Sequence, residues 1–293
     1  MKSAWNIVTT SKWAIILVMA MLSSACSSYF FYPMKEMVRT PADVGLKYRD
    51  LTFTTRDHVR IHAWLLTTPH PRGIVYYLHG NAENISTHLG NVYWLPDQGY
   101  EVLLLDYRGY GLSQGTPDFP QVFADVSAGY QWLKTYSAQQ HLPVFILGQS
   151  LGAAISAYYF AELPKDDIIF NGVVLDAVFS GQRDIAKNVL SRHFITWPFQ
   201  FFIGFFLPKD YDPKDYVADF SPIPLLFFHS RDDQVIPLKE GRSVYERAGE
   251  PKMWVTTRGP HTGTFNYADN RQILLDFFAA HGALSPNAPR QTD

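Results

Sequence analysis

The stretch "VFILGQSLGAA", Val144 to Ala154, decides how this chain folds. Val144 to Leu147 is a short apolar run with strand character, and the residues from Leu151 onward suit a helix. Gly148, Gln149, Ser150, Leu151 and Gly152 must therefore make the turn between them. A turn that tight forces one side chain outward, and here the outward one is a hydroxyl. Glycines at 148 and 152 leave space where a Cβ would crowd the bend. A bare GxSxG is a weak signal, so its meaning rests on what the rest of the chain supplies.

Outward from this stretch, the same alternation repeats. Strand-like apolar runs cover Ile74 to Leu78, Glu101 to Leu105, Gly172 to Leu175, Leu225 to Phe228 and Lys252 to Thr256. Helical patterns lie between or after them at Ile85 to Leu95, Val122 to Tyr136, Leu151 to Ala161, Leu238 to Ala248 and Arg271 to Ala280. Upstream, "LTFTTR" and "VRIHAWLL" flank Asp57-His58 and read as a hairpin. Continuous apolar strands alternating with helices predict an α/β fold with a mostly parallel, eight-stranded sheet covered on both faces. One domain from about 51 to 281 accounts for them. Gly181 to Asp215 interrupts the alternation and holds "FITWPFQFFIGFFLP", so a short helical cap at about 181–215 is expected, packed on the core or lining an apolar pocket.

An α/β sheet binds ligands beyond the carboxyl ends of its strands. The expected strands deliver His79-Gly80-Asn81, Ser150, Asp232-Asp233 and His261 to that one edge. A hydroxyl, a carboxylate and an imidazole arrive in the chain order of nucleophile-elbow hydrolases. A serine hydroxyl needs a base to take its proton, and imidazole has a suitable pKa. The carboxylate would hold the imidazole tautomer, for which Asp233, four residues before Pro237, is favoured over Asp232. Backbone N–H groups of Leu151 and Asn81 are the expected oxyanion donors. His62, His88 and His193 read as core or surface residues. "LLLDYRGYGLSQG" lacks the GxGxxG spacing and reads as a structural loop, with Asp106 and Arg108 as a candidate pair.

Composition narrows the classes. Apolar residues at 47% and charged residues at 18% describe a globular protein with a substantial core. A net charge of −2 gives no reason to expect nucleic acid as a partner. CxxC, HExxH and EF-hand spacings are absent, so neither a metal nor a cofactor is expected. The single cysteine, Cys26, follows Lys2, Lys12, the apolar run Trp13 to Leu22 and the small residues Ser23, Ser24 and Ala25. That is the layout of a secretory signal peptide over 1–25, of the lipoprotein type if Cys26 is lipidated. The alternative is an uncleaved anchor helix running toward Phe31. Both put the body outside the cytoplasm, held near a membrane by a tether over 26–50. Residues 282–293 have the composition of a disordered tail.

The chain resembles the α/β-hydrolase superfamily, and more narrowly the serine-aminopeptidase-like branch that also contains abhydrolase-domain depalmitoylases. The resemblance runs roughly from Phe31 to Ala280. It is carried by "TPADVGL", "YYLHGNAENIS", "LLLDYRGYGLSQG", "LGQSLGAA", "VVLDAVFSGQRDIA", "HSRDDQVIP" and "GPHTG". It implies a nucleophile at Ser150, an acid at Asp233 and a base at His261. Two positions depart from the pattern: Asp57-His58 stands where relatives carry Asp-Gly, and Ser230 replaces a glycine near the acid. The expected activity is hydrolysis of an ester or thioester with an apolar acyl group. Amide hydrolysis by the same mechanism is the first alternative, and a non-catalytic, lipid-anchored binding protein is the second. The sequence specifies neither the physiological substrate nor the oligomeric state.

Overall fold

In the computed structural model, which describes residues 31–185 and 210–283, the alternating runs form one sheet. The strands, in chain order, are β1 (Tyr32–Pro33), β2 (Tyr48–Thr54), β3 (Arg60–Leu66), β4 (Gly73–Leu78), β5 (Ala82–Glu83), β6 (Tyr100–Leu105), β7 (Val144–Gln149), β8 (Phe170–Asp176), β9 (Leu225–Ser230) and β10 (Lys252–Thr257). Eight of them make the main sheet in the order β10-β9-β8-β7-β4-β6-β3-β2. From β10 to β6 the pairing is parallel, and the β2–β3 hairpin closes the edge antiparallel. The helices are α1 (Ile85–His88), α2 (Val122–Gln140), α3 (Leu151–Tyr159), α4 (Pro213–Tyr216), α5 (Leu238–Arg247) and α6 (Ala268–His281).

The sheet is buried on both faces because its central strands are apolar along most of their length, with the polar residues gathered chiefly at their carboxyl ends. In β4, Ile74, Tyr76 and Leu78 join one core and Val75 and Tyr77 the other, as the two-residue period requires. On the first face, α2 lays down Val122, Val126, Tyr130 and Leu133, spaced by four, four and three residues. Tyr76 is tied across that interface by its hydroxyl, which donates to the carbonyl of Val126 at 3.0 Å. The opposite core takes Leu274, Phe277 and Phe278 from α6.

Several expectations are corrected. The helix expected over Ile85 to Leu95 is one short α-turn followed by 3₁₀ turns at Leu89–Asn91 and Pro96–Gln98. The stretch expected as a tether to residue 50 is packed from Phe31 onward. Phe31 is buried, Tyr32–Pro33 pairs in parallel with Ala82–Glu83, and Tyr48 to Asp50 belong to β2. Its lack of period has a physical cause: the segment is held mainly by hydrogen bonds to the body. The Met34 N–H donates to the carbonyl of Glu83, the Asn84 side-chain amide donates to the carbonyls of Met34 and Glu36, and Val38 N–H donates to Ser86 Oγ. Asp106 and Arg108 do not pair. Arg108 instead bridges Asp125 and Asp57, with contacts of 2.8 and 2.9 Å. The hairpin turn does place His58 at φ +63°, a region that favours glycine. The expected signal segment, Cys26, most of the cap (186–209) and the tail from 284 lie outside the described residues.

Candidate active site

Ser150 sits where β7 ends and α3 begins, at φ +54° and ψ −112°. A non-glycine residue there is strained, at a cost on the order of 1–3 kcal/mol, and persists only because its surroundings hold it. They do so at close quarters. A Cβ on Gly152 would lie 1.9 Å from the carbonyl oxygen of Leu78, and one on Gly148 would lie 2.5 Å from that of Gly152. Helix α3 therefore packs backbone to backbone on β4 and β7. The Ser150 N–H is fixed as well, donating to the carbonyl of Asp176 at 2.9 Å.

The loops after β9 and β10 bring the other two side chains to the same edge. His261 Nε2 lies 2.9 Å from Ser150 Oγ, and His261 Nδ1 lies 2.7 Å from Asp233 Oδ2. The second oxygen of Asp233 accepts the N–H groups of Val235 and Ile236 at 2.7 and 2.8 Å. Burial pushes the Asp233 carboxyl up, but the His261 hydrogen bond and charge and these two N–H groups more than offset it. The net direction is down, so Asp233 stays ionised at neutral pH. Asp232 lies outside this line: its side chain is exposed and accepts Gly259 N–H at 3.2 Å. Ser230, the departure from the family glycine, is built into the turn. Its hydroxyl donates to the carbonyl of Gly259 and accepts from Asp232 N–H.

The two expected oxyanion donors flank the serine. As the first residue of α3, Leu151 has an N–H with no carbonyl a turn earlier to bond. On the other side, a Cβ on Gly80 would lie 3.6 Å from that of Ser150. The Gly80–Asn81 peptide is held from two directions. His79 Nδ1 donates to the carbonyl of Gly80 at 2.7 Å, and Tyr110 donates its hydroxyl proton to the Asn81 carbonyl at 2.6 Å. In a trans peptide the Asn81 N–H points opposite to the Gly80 oxygen. The Asn81 side-chain oxygen also accepts Tyr32 N–H at 3.1 Å, which ties β1 to this loop.

His79 is fully buried, and burial together with neighbouring His88 pushes its pKa well below the ordinary value, so it is neutral and donates from Nδ1. Sequence reading missed this role, although the His sits in the quoted "LHGN". It also gave no role to Asp176, Gln149 or Thr264. Asp176 is fully buried and accepts from both Gln149 Nε2 and Thr264 Oγ1 at 2.7 Å. Beside the triad, Ala154, Phe179, Ile185 and Ile236 form a small apolar cluster. Arranged this way, the hydroxyl can lose its proton to an imidazole whose tautomer is fixed from behind.

Comparison with known proteins agrees with this architecture. Residues 69–205 match the family model described as serine aminopeptidase, S33. The uncharacterized protein YfhR of Escherichia coli K12 is 29% identical over 268 residues, covering 88% of each chain. Lysophosphatidylserine lipase ABHD12 of Xenopus tropicalis is 30% identical over 230 residues, which span 73% of this chain and 58% of that one. Among solved structures, Pyrococcus furiosus esterase Pf2001 superposes with a TM-score of 0.70 at 21% identity, covering 87% of this chain and 98% of its own. Sheet order, elbow and these likenesses together show that this chain has the α/β-hydrolase fold.

Proposed function

We propose that the protein is a serine hydrolase that cleaves a carboxylic ester or thioester bearing an apolar acyl group, through an acyl-enzyme on Ser150. The observation that carries this reading is the unbroken line from Ser150 Oγ to His261 at 2.9 Å and from His261 to Asp233 at 2.7 Å. Ser150 Oγ attacks the acyl carbon while its proton passes to His261 Nε2. Asp233 holds the proton on Nδ1 and stabilises the imidazolium without taking that proton. The oxyanion of the tetrahedral intermediate is met by the N–H groups of Leu151 and Asn81. His261 then protonates the leaving group, water attacks the acyl-enzyme, and the acid departs as Ser150 regains its proton.

An ester is preferred to an amide because two proteins like this chain carry ester-cleaving activities in their names, an esterase and a lysophosphatidylserine lipase, and a thioester calls on the same acyl-enzyme chemistry. The apolar acyl group is supported by Phe179, Ile185 and Ile236 beside the triad and by the aromatic sequence Phe194 to Phe206. An N-terminal lipid on Cys26 in the cell envelope would bring the enzyme to membrane-borne substrates.

A fluorophosphonate probe tests the reading. Folded wild type should label, and Ser150→Ala should lose both label and turnover. Persistent labelling elsewhere, or none in the wild type, would sink it. A parallel panel of p-nitrophenyl esters, acyl thioesters and aminoacyl anilides should show esters or thioesters turned over and anilides spared. Faster anilide cleavage would make the enzyme an amidase.

A further inference from the structure

We propose that Asp176 is a positioning residue of this site, clamping the nucleophile turn to the histidine loop through Gln149 and Thr264. This rests on the assignment of Ser150 and His261 and adds a second carboxylate that touches neither of them. Gln149 is the residue immediately before Ser150, and Thr264 lies three residues after His261. Asp176 ends β8, and its carboxylate accepts from Gln149 on Oδ2 and from Thr264 on Oδ1. Its main-chain oxygen accepts the N–H of Ser150 itself. A single buried residue thus bonds the turn that aims the hydroxyl and the loop that carries the imidazole.

The direction of each hydrogen bond is forced. Asn91 Nδ2 donates to the Tyr77 hydroxyl, and that hydroxyl donates to Gln149 Oε1. Gln149 can then present only its NH₂ group to Asp176. A carboxylate accepts and cannot donate, so it suits both of its partners. Burial pushes the Asp176 pKa up to about 6, with Gln149 and Thr264 acting against that, so at neutral pH the acceptor form prevails. The histidine loop is anchored beyond Thr264 too, since Asn270 Nδ2 donates to the Thr264 carbonyl at 2.8 Å. Asn270, Ser230 and Asp232 also hold this loop, but the Thr264 hydroxyl bond is the one that reaches, through Asp176, the residue next to Ser150.

The variants separate bonding from charge. Thr264→Val keeps the shape and deletes the hydroxyl, and small misplacements of reacting groups cost roughly tenfold to a hundredfold in rate. Thr264→Val should therefore lower kcat for p-nitrophenyl butyrate by about that factor with KM unchanged, and slow fluorophosphonate labelling of Ser150 in parallel. Thr264→Ser should restore both. Asp176→Asn can accept from Gln149 with its carbonyl and donate to the Thr264 hydroxyl, so it should stay within about threefold of wild type. Asp176→Ala should fall at least as far as Thr264→Val. All are compared at matched folded fraction by near-UV circular dichroism. Wild-type kcat in folded Thr264→Val, or a loss in Asp176→Asn as deep as in Asp176→Ala, overturns the clamp. Either result beside an inactive Ser150→Ala leaves the nucleophile assignment standing, whereas an active Ser150→Ala removes that assignment itself.

Discussion

Replacing Asp233 by asparagine should silence the enzyme by reversing one tautomer. Asp233 Oδ1 takes two backbone N–H groups, from Val235 and Ile236, while Oδ2 faces His261 Nδ1. An asparagine there must keep its carbonyl on the two N–H groups, because its NH₂ would oppose two donors. That leaves the NH₂ facing Nδ1, which must now accept. The imidazole then carries its proton on Nε2 and points it at Ser150 Oγ, 2.9 Å away. No lone pair remains to receive the serine proton. The corresponding wrong-tautomer change in a serine protease triad costs about 10⁴ in kcat, or roughly 5.4 kcal/mol of barrier. Asp232→Asn, exposed and able to accept Gly259 N–H through its carbonyl, should stay within about threefold of wild type. Stability should separate the two as well. The Asp233 carboxyl lies below its ordinary 3.8 in the folded chain, so its contribution is fully present above that value and lost as pH falls through the lower folded pKa. Asp233→Asn removes that part of the acid dependence. Initial rates on p-nitrophenyl butyrate and melting curves from pH 7 to about 3 are the measurements. Asp233→Asn within tenfold of wild type, or Asp232→Asn as the more damaging change, would refute the reasoning.

Two further changes have definite expected outcomes. His58→Gly relieves a positive φ in the hairpin turn and should stabilise the fold by roughly 0.5–1 kcal/mol, since the relief exceeds the added chain entropy. A lower melting temperature would mean that the imidazole makes contacts worth more than the strain. Cys26→Ser should move the protein from the membrane fraction to the soluble fraction if lipid is attached there, and unchanged retention would favour an uncleaved anchor helix.

The parts of this fold that were legible in sequence are those set by short-range chemistry. The apolar period of β4, β7 and β9 announces buried strands, and the glycines around Ser150 announce a bend that allows no other residue. Asp233 was legible because Pro237 and the apolar run of β9 frame it. Long-range polar pairing was not legible. Arg108 lies two residues from Asp106, yet its partners are Asp125 and Asp57, reached only after the sheet has formed. Asp176 ends a strand whose preceding residues, Gly172 to Leu175, are buried and free of charge. Its two partners are 27 and 88 residues away, and nothing local marks them. The segment from Phe31 to Leu46 misled for the opposite reason, since chain stitched down largely by its own peptide groups imposes little pattern on its side chains.

That stitching ties the way the protein is held to the way it works. Phe31 packs its ring against Phe119, and the next residue, Tyr32, runs beside Ala82 and bonds the side chain of Asn81, so the polypeptide entering the body from its N-terminal end is fastened at once to the core and to the loop next to the serine. A pull on the chain ahead of Phe31, from an anchor or a fused tag, would therefore load the loop that would cradle the reacting carbonyl together with the core beside it.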